Sequence, residues 1–144
     1  MTIFALSSGS GISGVSIIRI SGSDTREVIK KITNLGLPTP RLATIRKFNK
    51  INSNELIDEG ILLWFPGPQS YTGEDMAEFH VHGSRAVVEA IHSSISKIEN
   101  CRLAEPGEFT KIAFQNGKIN LLKAESISDL ISAETEMQRH QAIK

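Results

Sequence analysis

Trp64 to Gly83 reads W-F-P-G-P-Q-S-Y-T-G-E-D-M-A-E-F-H-V-H-G, and this stretch decides the fold. An apolar strand end, Ile61 to Phe65, runs into two prolines and two turn glycines. It re-emerges as a second strand, Met76 to Val81. Successive strand side chains point to opposite faces, so Glu78, His80 and His82 share one face while Phe79 and Val81 share the other. A carboxylate and two imidazoles on one strand face, delivered by a rigid Pro/Gly loop, describe a binding surface better than a core layer.

Working outward, the apolar residues switch between strand and helix periods. Ile3 to Leu6 and Val15 to Ile20 read as strands around the loop Ser7 to Gly14. Asp24 with Glu27 three residues later has the form of a capping box. The helix that follows places Val28, Ile29, Ile32 and Leu35 on one face, and Leu37-Pro38-Thr39-Pro40 is expected to end it. Leu42 to Phe48 reads as a strand, Asn49 to Asn54 as a hairpin turn, and Leu56 to Phe65 as the returning strand with Asp58 and Glu59 near its start. Gly83-Ser84 opens a helix with Val87, Val88, Ile91, Ile95 and Ile98 as its stripe. Cys101 to Ala104 is a short strand and Glu108 to Gln115 a short helix. A last helix starts near Asn120 and runs through Ile127, Leu130, Ile131 and Met137. Strands mixed with helices and joined by short turns predict an α+β fold with a mixed sheet and packed helices. The last helix stops at Lys144 without a glycine cap, as in a piece cut from a longer protein or in a frayed terminal helix.

Composition narrows the function classes. A chain of 144 residues is about one domain and can bury roughly two thirds of its unfolded surface. Sixteen basic residues balance sixteen acidic ones, so no global positive field recruits nucleic acid. A hydrophobic share of 40% with 22% charge is that of a soluble globular domain. The single Cys101 excludes an internal disulfide and fits a reducing compartment. The apolar start Ile3-Phe4-Ala5-Leu6 is too short for a signal or membrane helix, so a cytoplasmic protein without membrane attachment is expected.

The chemical constellations are few. His80-x-His82 with Glu78 could hold a metal, but no further ligand stands at convincing spacing, and paired or exposed histidines are the alternative. Cys101 lies in a short apolar strand, where free cysteines are usually buried and inert. The glycine-rich loop Ser8 to Gly14 leads into a strand rather than a helix N-terminus, so the usual anion cradle is missing. Gly117-Lys118 looks like the end of a P-loop, but Ile112 stands at its first glycine and Ile119 at its Ser/Thr. Arg19, inside the apolar run Val15 to Ile20, needs a carboxylate, a carbonyl or a bound anion unless it lies at an exposed strand end. Glu78 raises the same question, with Arg19 or Arg85 as its candidate ion-pair partner.

Several motifs together resemble the N-terminal domain of the MnmE/TrmE family of tRNA-modification GTPases. They are G-V-S-I-I-R-I-S-G at Gly14 to Gly22, L-P-x-P-R at Leu37 to Arg41 and D-E-G at Asp58 to Gly60. W-F-P-G-P-x-S-Y-T-G-E-D at Trp64 to Asp75 follows, then H-G at His82-Gly83, P-G-E-F-T from Pro106, N-G-K from Asn116 and A-E-S-I-S-D-L-I from Ala124. The resemblance is collinear over nearly the whole chain. It implies a fold similar to the tetrahydrofolate-binding module of the glycine-cleavage T-protein, spanning residues 1–118 and forming a homodimer. Residues 119–144 would be the first helix of a helical domain that carries an inserted GTPase domain.

The same resemblance implies that a tetrahydrofolate derivative (5-formyl- or 5,10-methylene-) is held by Arg19, Glu78 and Lys118. It assigns no catalytic residue and no metal ligand to this chain. With an FAD-dependent partner, MnmG (GidA), the family modifies carbon 5 of the wobble uridine in tRNA, supplying a one-carbon unit from the folate. GTP, Mg and K ions would belong to the GTPase domain, so the 144 residues alone are expected to be inactive. The family's Pro-Pro-Gly-Arg-Gly-Gly loop is here Gly9-Ser10-Gly11-Ile12-Ser13-Gly14, and His82-Gly83 is followed by Ser84-Arg85 rather than a second glycine. A dimerisation and scaffolding module with a vestigial ligand cavity is therefore the competing reading. A stand-alone aminomethyltransferase-like protein is a third.

Overall fold

The computed structural model describes residues 1–7, 14–119 and 128–136. The alternating apolar runs form β1 (Thr2–Leu6), β2 (Val15–Gly22), β3 (Thr44–Asn49), β4 (Leu56–Phe65), β5 (Met76–His82) and β6 (Cys101–Leu103). They make one mixed sheet in the order β3-β4-β5-β2-β1-β6. β6 runs parallel to β1, and every other neighbouring pair is antiparallel. The helices are α1 (Thr25–Thr33), α2 (Arg85–Ser96), α3 (Glu108–Gln115) and a helical segment at 128–136. This is the α+β architecture expected from the sequence.

One face of the sheet is the core. Phe4, Ile18, Ile20, Leu62, Phe79 and Val81 point from it against Val28, Ile29 and Ile32 of α1 and Ile91 and Ile95 of α2. Ser84 caps α2 by accepting the Val87 N–H at 3.0 Å, which fixes where that helix leaves β5. Gly60 lies where β4 passes β5. A Cβ there would stand 2.0 Å from the His80 carbonyl oxygen, so the close approach requires glycine.

Three local expectations are corrected. Asp24 and Glu27 do not form a capping box. Asp24 has φ −100° and ψ 10°, away from the extended geometry that turns a cap side chain back on its helix. Its N–H donates to Thr2 Oγ1 at 2.7 Å and its carboxylate accepts the Thr2 hydroxyl at 3.1 Å, tying α1 to β1. The prolines do not end α1. The helix stops at Asn34, left-handed at φ 58°, whose N–H donates to the Lys30 carbonyl at 2.8 Å. Leu35 therefore lies beyond the helix and is exposed, as is Leu42 ahead of β3.

β6 is joined to α3 by Arg102, whose guanidinium grips Glu108 with two bonds of 2.8 and 2.6 Å. The Glu105 N–H adds a third at 2.8 Å. The Arg102 hydrogen bond, against the opposing pull of burial, leaves the Glu108 carboxyl below its ordinary value of 4.5. A depressed folded value means stability that is present above 4.5 and is lost as pH falls through the lower folded value. Glu108→Gln should therefore lower the urea midpoint at pH 7, with the gap to the parent closing in the acid range. A gap that stays constant down to pH 3 would contradict this coupling.

Candidate functional site

The other sheet face carries the polar residues. Alternation puts Ile17, Arg19 and Ser21 of β2 there, with Met76, Glu78 and His80 of β5 and Leu63 of β4. Arg19 pairs with Glu78 across β2 and β5, and Leu63 flanks Glu78 on the other side. Part of this face is closed by an apolar cluster of Ile3, Ala5, Met76 and Ala104 under Phe109 of α3. Beyond that cluster the sheet presents charge.

Arg19 is not at an exposed strand end. It stands mid-strand, with its Cζ 5.0 Å from the centre of the Tyr71 ring and 5.6 Å from that of Phe109. Both distances fall within cation–π range. Its Nε is fully buried and finds no hydrogen-bond partner among the described residues. A buried guanidinium N–H without an acceptor is costly, so Arg19 marks this face as a candidate binding surface.

Glu78 does not pair with Arg19 or Arg85. Its Oε1 lies 2.9 Å from His80 Nε2, two residues along the same strand face, while Arg85 pairs with Glu89 at 3.1 Å. Among the described residues, no donor meets Oε2. The second imidazole goes elsewhere: His82 Nδ1 sits 2.9 Å from Asp58 Oδ1, and the His82 N–H donates to Asp58 Oδ2 at 2.8 Å. Burial pushes the Asp58 carboxyl up, but these bonds outweigh it and leave it below its ordinary value. The two histidines thus serve separate carboxylates. Among the described residues, no group of three or more His, Cys, Asp or Glu side chains is placed to hold a metal.

Lys118 approaches the site from its rim. Its ammonium donates to the Pro68 carbonyl at 2.9 Å, on the loop 66–75, while Asn116 Nδ2 donates to the Thr72 carbonyl at 2.7 Å. Thr72 is buried and its hydroxyl meets Ser21 Oγ at 2.8 Å. The turn after α3 and the polar edge of β2 thereby hold the Pro/Gly loop over the sheet, with Tyr71 against Arg19. The structure pairs Arg19 with Glu78 across β2 and β5 and sets Lys118, just after α3, against the bordering loop.

Tyr71, Phe109 and the role of His80 were not legible in the sequence. The motif Ser70-Tyr71-Thr72-Gly73 marked a turn, and nothing local said which cation its aromatic would meet. The loop at 8–13 lies outside the described residues. Cys101 is buried; burial and the Asp24 carboxylate push its thiol up to about 11, so it stays protonated at neutral pH. No helix among the described residues is long and apolar enough to cross a membrane.

Comparison with known proteins gives a consistent picture. A family model described as "GTP-binding protein TrmE N-terminus" matches residues 2–118. The tRNA modification GTPase MnmE of Pelagibacter ubique is 76% identical over 144 residues, covering 100% of this chain and 32% of that protein. The mitochondrial 5-taurinomethyluridine-[tRNA] synthase subunit GTPB3 of Danio rerio is 48% identical over 143 residues, covering 99% of this chain and 28% of that protein. Its Homo sapiens counterpart is 49% identical, with 99% and 29% covered. The chain spans about a third of the length of these curated relatives. Matched over almost its whole length, the chain belongs to the TrmE N-terminal family of tRNA modification GTPases.

Proposed function

We propose that this chain is the folate-holding and dimerising part of a tRNA-modifying GTPase, with the reduced folate lying on the polar sheet face against Arg19 and Glu78. The observation that carries the reading is the Arg19 guanidinium, whose buried Nε has no partner among the described residues, on the residue that faces Glu78 across β2 and β5. A reduced pterin offers what this pair lacks. Its amino-pyrimidinone edge presents two adjacent N–H donors to a carboxylate, and its carbonyl and ring nitrogens accept from a guanidinium. His80 holds one Glu78 oxygen in place, so the carboxylate is oriented before the ligand arrives. Tyr71 and Phe109 supply a flat apolar wall at the ring's edge. Lys118, whose ammonium lies against the bordering loop, suits the anionic glutamate tail of a folate.

The bound folate would supply a one-carbon unit. The names of the two mitochondrial relatives support that chemistry, because 5-taurinomethyluridine carries a one-carbon bridge on the uracil ring. By the same family reading, carbon 5 of the wobble uridine is the acceptor and the FAD-dependent MnmG (GidA) is the partner. GTP with Mg and K ions acts in a GTPase domain, and the assembly works in the cytoplasm. By the same reading, residues 1–118 form the ligand-holding domain and the described helical segment 128–136 belongs to the domain that follows.

Calorimetric titration of the chain with 5-formyl-tetrahydrofolate tests the reading. Saturable binding at one site per chain is expected. A flat titration of well-folded protein would overturn it in favour of a scaffold with a vestigial cavity. The chain is also expected to dimerise, since its net charge of +0 sets no long-range repulsion between copies. Light scattering at tens of micromolar should give twice the 15.8 kDa chain mass. A single chain mass would contradict the dimer.

A further inference from the structure

Helix α3 begins without a cap of its own. Gly107, at its N-terminus, has φ 74° and no side chain to accept the first backbone N–H groups. Glu134, from the helical segment 128–136, takes that part. Its Oε2 accepts the Phe109 N–H at 3.0 Å, and its Oε1 accepts the Thr110 N–H at 3.1 Å and the Thr110 hydroxyl at 2.7 Å. A carboxylate there also meets the positive end of the helix dipole. The segment sits so close that a Cβ on Gly107 would stand 2.8 Å from Ile131 Cγ2.

The two residues that Glu134 grips both bear on the surroundings of Arg19, one directly and one through Tyr71. The Phe109 ring lies against the guanidinium, its centre 5.6 Å from Arg19 Cζ. Thr110 Oγ1 lies 3.1 Å from the Tyr71 hydroxyl, and Tyr71 forms the other stacking wall. Because the Thr110 proton goes to Glu134, the Tyr71 hydroxyl must donate to Thr110, and the bonds run in one direction from Tyr71 to Glu134.

We propose that Glu134 is a positioning residue for the ligand site: by capping α3 it sets the two aromatic walls around Arg19, so segment 128–136 controls how well the Arg19–Glu78 face holds its ligand. The inference rests on the folate reading for its ligand, but the arrangement of Arg19 can be observed without one. Loss of the carboxylate frees the first turn of α3 and lets Tyr71 turn away, which leaves Arg19 less well aligned.

The test is a double-mutant cycle on the whole chain, using Glu134→Ala, Tyr71→Phe and both together, titrated with 5-formyl-tetrahydrofolate. Each single change is expected to weaken binding by about 5- to 30-fold, and the double change by little more than the larger single one. Glu134→Gln keeps one carbonyl acceptor and should recover part of the loss. In parallel, the Arg19 Nε–H proton resonance of the ligand-free protein, shifted by the two rings, should move toward the solvent-exposed value in Glu134→Ala. A cap with a structural role alone would lower the melting temperature of Glu134→Ala and leave the affinity and the resonance unchanged; that result overturns the proposal, as do two losses that multiply. If the parent binds no folate, the functional reading fails, and the Arg19 resonance decides this inference by itself.

Discussion

Glu78→Gln is expected to weaken binding of 5-formyl-tetrahydrofolate by about 30- to 150-fold, on the order of 2 to 3 kcal/mol. The amide keeps the size of the side chain but removes its charge and turns one acceptor into a donor. His80 already lies 2.9 Å from one oxygen of the native carboxylate, so the single amide oxygen cannot serve both the imidazole and the pterin edge. One ligand N–H is left facing another N–H in a half-buried site, which is the costly arrangement. The register places Glu78 between Arg19 and Leu63 on firmly paired strands, so the site has little freedom to rearrange around the change. Calorimetry on the parent and the variant decides it. Equal affinity would remove Glu78 from the site even if folate binding itself stood.

Phe79→Ala should cost about 3 to 5 kcal/mol of folding stability. Phe79 is 0% exposed and its ring packs 4.7 Å from that of Phe48, across from Leu62 and Ile18. Removing it opens a cavity in the middle of the helix-covered face, where strand pairing on both sides prevents collapse. The residue stands between Glu78 and His80 in the chain, so the substitution also loosens the strand that presents them. Urea unfolding at pH 7 gives the measurement. A loss below about 1 kcal/mol would mean that the core refills and that this face is not as tightly packed as the burial indicates.

The legible and illegible parts of this protein divide along physical lines. β4 and α3 have the bounds read from the sequence, Leu56–Phe65 and Glu108–Gln115, because alternation and helical periodicity are local signals. The two faces of β5 were legible for the same reason, and so was the anomaly of Arg19 in an apolar strand. The stop of α1 was misread because Asn34 could take the left-handed conformation ahead of the prolines. The capping box failed because Thr2, from another strand, competed for Asp24. The partners of Arg19 and Glu78 were illegible in principle. Whether Glu78 meets Arg19, Arg85 or His80 depends on strand register and rotamer, and the aromatic walls arrive from a loop and a helix far along the chain. Glu134 as the cap of α3 is the extreme case, since no local pattern links it to Gly107. Polar residues in the wrong place mark a site, but tertiary structure decides what they hold.

The central claim is that reduced folate lies on the polar sheet face between Arg19 and Glu78. A crystal structure of the chain grown with 5-formyl-tetrahydrofolate tests it most directly. The amino-pyrimidinone edge should lie on the Glu78 carboxylate, with the Arg19 Nε–H donating to the ligand and the glutamate tail running toward Lys118. A folate bound elsewhere, for example in the cleft of about 500 Å³ between α1 and β3 lined by Asn34, Arg46 and Glu59, with Arg19 still unpaired, would contradict it.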